Sequence, residues 1–223
     1  KLRQALINRK NADAELSQLK SVLDLAGTAK YKVVNARVIS LGSTSSFTQT
    51  ISIDAGTNNG IRQNMTVITG LGLVGVVKMS YPNSALIQLA TDPAFRVGAR
   101  VAGSQQIGIL SGQGTGKGVL QLLDNRTTLK VGDVILARGS QHNRPFVPGV
   151  PIGEVTAVDN AAGAITQTAD VKFYVNFASL SIVAVVVGAP QSDPRDALVP
   201  KAPVPTPVPT VTIYAKPSES PTP

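Results

Sequence analysis

Over residues 1–26 the chain reads KLRQALINRKNADAELSQLKSVLDLA, without Gly or Pro, and its small and apolar positions recur every seven residues. Leu2, Arg9, Leu16 and Leu23 share one heptad position, and Ala5, Ala12, Leu19 and Ala26 share the other. This spacing predicts a helix over 1–26, stopped by Gly27, with a coiled-coil seam for self-association centred on Leu2, Leu16, Leu19 and Leu23. Arg9 and the three alanines weaken that seam, and a single amphipathic helix packed on its own domain satisfies the same pattern. The pattern is already running at Lys1, which leads us to expect a preceding segment.

Beyond Gly27 the period changes to short β-branched runs separated by Gly, Asn, Asp and Pro. The predicted strands are 32–39, 48–54, 65–69, 73–79, 84–90, 96–102, 107–110, 118–123, 133–137, 152–158, 164–175 and 181–187. Many short strands with no helical segment between them predict a mainly β region, a barrel or a sandwich. From Gly188 the composition shifts again. VPKAPVPTPVP (199–209) is expected to be extended polyproline II, because proline fixes φ and removes backbone donors. We therefore expect residues 189–223 to form a Pro-rich disordered tail.

The chain also repeats itself. At an offset of 68, GIRQNMTVITG (60–70) aligns with TLKVGDVILAR (128–138), matching Val67 to Ile135 and Ile68 to Leu136. The second copy then carries about ten extra residues, GSQHNRPFVP, after which LVGVV (73–77) aligns with PIGEV (151–155) and Gly75 with Gly153.

The repeat bears on a stretch that imitates a nucleotide site. TGLGLVGVV (69–77) places Gly70, Gly72 and Gly75 in the spacing GxGxxG. A dinucleotide fingerprint must open a helix, whose N-terminal amides hold the pyrophosphate. Here Val-Val-Lys-Met-Ser-Tyr-Pro follows instead, and the aligned PGVPIGEV lacks the spacing. Gly70 and Gly72, like Gly149 in the second copy, are expected to be turn glycines. Gly75 and Gly153 are expected to be strand glycines where a barrel bends or another backbone comes close. SGQGTGKGV (111–119) likewise misses the phosphate-loop pattern at Ser111 and Gly118, and is read as a hairpin loop.

Composition narrows the chemistry. The net charge of +8 over 223 residues suggests a polyanion, but the basic residues are scattered and aromatics make up 4%, which argues against nucleic acid. A module binding anionic wall glycans through that basic surface is the alternative it leaves. With no cysteine and one histidine, thiolate and His-pair metal sites are excluded, and no metal or cofactor is expected. A double-barrel hydrolase would need His142 beside a carboxylate and an activated serine. His142 lies in the polar insertion, Asp124, Asp133 and Glu154 are scattered, and no nucleophile turn is present. We expect no enzyme and no catalytic residues.

The ordered strings DAGTNNGIRQNMTVITGLGLVGVV (54–77), LATDPAFRVGARV (89–101), GILSGQG (108–114), LKVGDVIL (129–136), PGVPIGEV (148–155) and FASLSIVAVV (177–186) together resemble the rod shape-determining MreC family. The resemblance covers most of residues 31–187. It implies two small β-barrel subdomains after a coiled-coil stalk, which we place at 27–96 and 97–188, with strands open to exchange between them. It further implies a single-pass anchor in the cell membrane, with this region on the outer side of the cytoplasmic membrane. The family's implied role is a non-enzymatic scaffold of the elongation machinery that controls cell shape. Its implied partners are itself, as a homodimer or filament-like oligomer, a class B penicillin-binding transpeptidase, a glycan polymerase and MreD. VNFASL (175–180) departs from the family's more usual acidic pattern before the last strand, and the Pro-rich tail suggests a Gram-positive, actinobacterial-like member.

Overall fold

A computed structural model describes residues 2–42, 48–104, 106–114, 116–123, 129–159, 166–190 and 192–200. The order of elements is α1 (Leu2–Ala29), β1 (Lys32–Leu41), β2 (Thr50–Ile53), β3 (Thr66–Thr69), β4 (Gly72–Ser80), β5 (Ala85–Leu89) and β6 (Arg96–Val101). Then follow β7 (Ile107–Gly112), β8 (Lys117–Leu122), β9 (Val134–Ala137), β10 (Pro151–Asp159), β11 (Thr168–Phe173) and β12 (Ile182–Gly188). Each run read as a strand from its β-branched content overlaps one of these strands; residues 164–165 of the run 164–175 lie outside the described residues.

All described strand pairs are antiparallel, and they close two barrels with the same spatial order of strands. Around the second barrel the order is β9, β10, β11, β8, β7, β6, drawn from one continuous stretch of chain. Around the first it is β3, β4, β5, β2, β1, β12. Position by position, β12 stands where β6 stands in the second barrel. Among the described residues the first barrel therefore has no leading strand of its own and borrows the last described strand, β12. A division at residue 97 assigns β12 by sequence to the second subdomain, whereas its pairings with β1 and β3 put it in the first. A sheet left open there would expose unpaired amides and carbonyls along β1 and β3, and this pairing satisfies them.

The internal repeat is visible in the register. Val67 pairs with Gly75 across β3 and β4, and Ile135 pairs with Gly153 across β9 and β10. The inward faces fill each barrel with β-branched and Leu side chains, such as Ile51, Ile53, Ile61, Val67, Ile87 and Val183 in the first. The second apolar cluster is larger. It joins the inside of the second barrel to Ile68 and Leu73 on the flank of the first, and to Val22, Leu25, Ala26, Ala29 and Tyr31 at the base of α1.

The helix runs through Gly27 to Ala29, three residues beyond the predicted stop at Ala26. Its C-terminus is closed instead by Lys30 in the left-handed region at φ 56°. The Lys30 amide donates to the Gly27 carbonyl (3.1 Å) and the Tyr31 amide to the Ala26 carbonyl (2.8 Å), the paired bonds of a Schellman ending. A glycine signal was thus misplaced, because burial of Ala26 and Ala29 against the barrels holds the last turn in place. Composition likewise changes at Gly188, but packed structure continues to Pro200, with a 3-10 turn at Arg195–Leu198. Most of the polyproline segment, 201–209, lies outside the described residues.

Candidate functional site

The base and the upper part of α1 serve different neighbours. Val22, Leu25, Ala26 and Ala29 form an i, i+3, i+4, i+7 stripe buried against the chain's own barrels. Burying Val22 and Leu25 contributes about 1.5–3 kcal/mol each. Leu16 and Leu23 point away from that stripe and are half exposed, at 50% and 49%. Leu19 is half-buried, and Leu2 begins the helix with its side chain outside the described residues. Ala26, placed on the seam by its heptad position, is instead part of the cis-packed stripe.

Between the helix and the first barrel runs a groove of about 510 Å³, lined by Ala12, Leu16, Leu19, Ala36 and Ile182 among others. Polar contacts lie along it and beside it. Arg37 Nη2 donates to Glu15 Oε2 at 3.1 Å, the Arg37 amide donates to Asp54 Oδ1 at 2.7 Å, and the Ile182 amide donates to Gln18 Oε1 at 3.3 Å. Further along, Ser17, Gln18, Ser21, Gly70 and Leu71 help to line a second recess of about 300 Å³.

The glycines of TGLGLVGVV are places where other parts of the chain come close. A Cβ on Gly70 would lie 2.2 Å from Ser21 Oγ, so the hairpin turn abuts the helix. Gly72 adopts φ +144°, and a Cβ there would lie 2.2 Å from the Pro151 carbonyl oxygen of the other barrel. At Gly75 the added atom would sit 1.9 Å from the Gln88 carbonyl oxygen, and at Gly153 it would sit 2.1 Å from that of Lys172. In each repeat the glycine lets the neighbouring strand approach. Gly149, at φ +87°, lies against Pro194.

The barrels are joined by two polar junctions that sequence reasoning did not pick out. At one, buried Asp92 accepts from the Gln49 amide (2.6 Å), Gln88 Nε2 (3.0 Å) and the Ala94 amide (2.8 Å). Gln49 in turn donates through Nε2 to the Gly114 carbonyl at 2.6 Å and accepts from the Thr91 hydroxyl. At the other, the ten-residue insertion of the second repeat reaches the first barrel. Thr66 Oγ1 donates to the Pro145 carbonyl (2.8 Å) and accepts from the Val147 amide (3.0 Å). Phe146 meets Phe95 edge-on at 5.4 Å, and the Tyr31 hydroxyl donates to the Pro148 carbonyl. The only legible signal for this junction was that the insertion interrupts an otherwise regular repeat and ends in Phe-Val-Pro.

A cleft of about 580 Å³ opens between the barrels, lined by Gln49, Thr91, Lys172, Tyr174 and Phe177 among others. Burial, and secondarily the charge of Glu154, raises the Tyr174 hydroxyl above its ordinary range. The departing segment VNFASL forms part of its wall. Asn176 Oδ1 accepts the Ala178 amide at 3.1 Å, and Phe177 stacks edge-on with Phe173 at 5.4 Å.

The residues weighed for catalysis are not assembled. His142 is exposed in a 3-10 turn, whereas the Asp133 carboxylate accepts the Lys130 amide at 2.8 Å within another turn. Glu154 lies on β10, and Asp124 is outside the described residues. Among the described residues no group of three or more His, Asp or Glu side chains is placed to hold a metal ion. No described helix is long and apolar enough to cross a membrane.

Comparison with known proteins agrees with this architecture. The cell shape-determining protein MreC of Listeria monocytogenes is 31% identical over 164 residues, covering 71% of this chain and 55% of that protein. The chain thus spans little more than half the length of this curated relative. A solved Listeria MreC structure superposes with a TM-score of 0.62 at 28% identity, covering 86% of this chain and 98% of that one. The complex between penicillin-binding protein PBP2 and MreC from Helicobacter pylori contains a chain with the same fold, at TM-score 0.54 and 14% identity, covering 70% of this chain and 99% of that one. Residues 38–187, from β1 to β12, match the model of the rod shape-determining protein MreC barrel core, and the chain belongs to the MreC family.

Proposed function

We propose that the chain is a non-enzymatic scaffold of the wall-elongation machinery, controlling cell shape by self-association and by holding peptidoglycan synthases. The observation that carries this reading is the match of residues 38–187, which hold the strands of both barrels from within β1 to β12, to the MreC barrel core. The Helicobacter relative is solved in complex with a penicillin-binding protein, which supports a class B transpeptidase as partner. A glycan polymerase and MreD are further proposed partners. The proposed location is the outer side of the cytoplasmic membrane, with a membrane helix ahead of α1.

Self-association is assigned to the heptad seam of Leu2, Leu16, Leu19 and Leu23, of which Leu16 and Leu23 are half exposed. Half-exposed leucines on a helix whose base is fixed in cis favour a partner helix over solvent, because each buried Leu contributes about 1.5–3 kcal/mol. Leu16→Lys with Leu19→Lys is expected to shift the species to monomer in light scattering, and an unchanged mass would sink the seam. For the synthase, purified transpeptidase is titrated with this chain and its rate followed. A scaffold that activates must bind the active conformation more tightly, so the rate should rise with occupancy. Binding with equal rates would reduce the role to recruitment, and no binding would remove the partner.

A further inference from the structure

After β12 the chain stays on the body. Asn143 Nδ2 donates to the carbonyls of Ala189 (3.4 Å) and Pro190 (3.1 Å). Pro194 rests against Gly149, where an added Cβ would come within 2.6 Å of its Cγ. The 3-10 turn Arg195–Leu198 then packs on α1, and Leu198 is buried in the same apolar cluster as Val22, Leu25, Ala26 and Ala29.

Charge holds the other side of this strap. Arg100, on β6 of the second barrel, has a side chain only 12% exposed. Its Nη1 donates to Asp196 Oδ1 at 2.6 Å, and the second Asp196 oxygen accepts the Gly103 amide at 3.0 Å. Asp193 Oδ1 lies 3.9 Å from Arg100 Nη2. Arg100 Nε and Nη2 are buried without a hydrogen-bond partner among the described residues, and the two aspartates supply the charge opposite this guanidinium. Neither barrel needs the strap for closure, since β12 ends at Gly188 and both sheets are complete without it.

We propose that residues 192–200 are a latch that fixes the base of the stalk helix to the second barrel. Apart from the strap, the main packing partners of α1 are β1, β3 and β12, all in the first barrel. The strap adds the second barrel through Arg100 and Gly103, while Leu198 grips the helix. With the latch closed, helix and barrels move as one. With it open, the helix rides on the first barrel, tied to the second by the Tyr31–Pro148 bond and by the apolar cluster around Val22, Leu25, Ala26 and Ala29. Asp193 and Asp196 are 41% and 44% exposed, so release is a local opening that leaves both sheets intact. This device does not depend on which partners the chain holds.

Native-state hydrogen exchange on the full chain tests it. The Ala197 and Val199 amides, which donate to Pro194 and Asp196 carbonyls, report the strap. The Tyr31 amide, donating to Ala26, reports the helix base, and residues 183–186 of β12 report the sheet. The double variant Asp193→Asn with Asp196→Asn is expected to speed strap and Tyr31 exchange together, by about tenfold or more, with β12 unchanged. Faster strap exchange with Tyr31 unmoved, or no change in either, would overturn the latch. Should the variant loosen β12 as well, the unmodified chain in low urea decides. Strap and Tyr31 amides sharing one urea dependence support the latch, and separate dependences overturn it.

Discussion

Gly75 and Gly153 occupy the same place in two copies of one motif, each with a carbonyl of the next strand where a side chain would begin. Neither strand can retreat, because both are held in closed ladders. Gly75→Ala is therefore expected to cost about 1–3 kcal/mol, as overpacking does. Urea denaturation checks this, and an unchanged midpoint would show that the barrel yields there. Tyr31 poses a different constraint. Burial, and next the charge of Asp193, holds its hydroxyl above the ordinary value of 10.0. The folded state thus favours the protonated phenol, so its contribution is complete below pH 10 and is lost as pH rises further. A thermal-melt series above pH 10 should fall less steeply in Tyr31→Phe than in the parent chain. Equal slopes would remove the buried phenol as the cause.

Along the helix, local sequence and tertiary packing disagree. Gly27 carries a stop signal, yet it is helical, and a Cβ there would meet nothing within 4 Å. Gly27→Ala is therefore expected to stabilise the chain by about 0.5–1 kcal/mol, since only the conformational freedom of glycine is removed. A lower melting temperature in this variant would contradict the extended helix. The strands were more legible than the helix end. β-branched content between Gly, Asn, Asp and Pro located the runs, because side chains branched at Cβ pack well on a pleated surface and turn residues end it. The ten-residue insertion gave no such signal. Its work is done by contacts of Pro145 and Val147 with Thr66, of Phe146 with Phe95 and of Pro148 with Tyr31, the last two residues 117 positions apart.

For the molecule as a whole, borrowing β12 makes the first barrel depend on both ends of the described chain. The second barrel is drawn from residues 96–173 alone. A chain ending at Leu180 is expected to lose exchange protection at Ile51, Ile53 and Ile87 while residues 108–111 and 169–172 keep theirs. Protection surviving in the first set would mean that β1 and β3 pair without β12. The same connectivity makes the first barrel the slower to assemble, because its closing contacts span about 150 residues of intervening chain.

The sequence by itself determined the element types, the repeat that makes the two barrels alike, and the glycines at which strands come close. It also excluded thiol and His-pair metal chemistry, since those need residues the chain does not contain. Periodicity and composition are local properties, and they report which face of an element is buried. Only the tertiary structure decided what each face is buried against. It assigned β12 to the first barrel, packed the base of α1 in cis while leaving Leu16 and Leu23 half exposed, and placed Asp193 and Asp196 opposite Arg100. Those outcomes depend on pairings between distant segments, and their energies arise only when the segments meet.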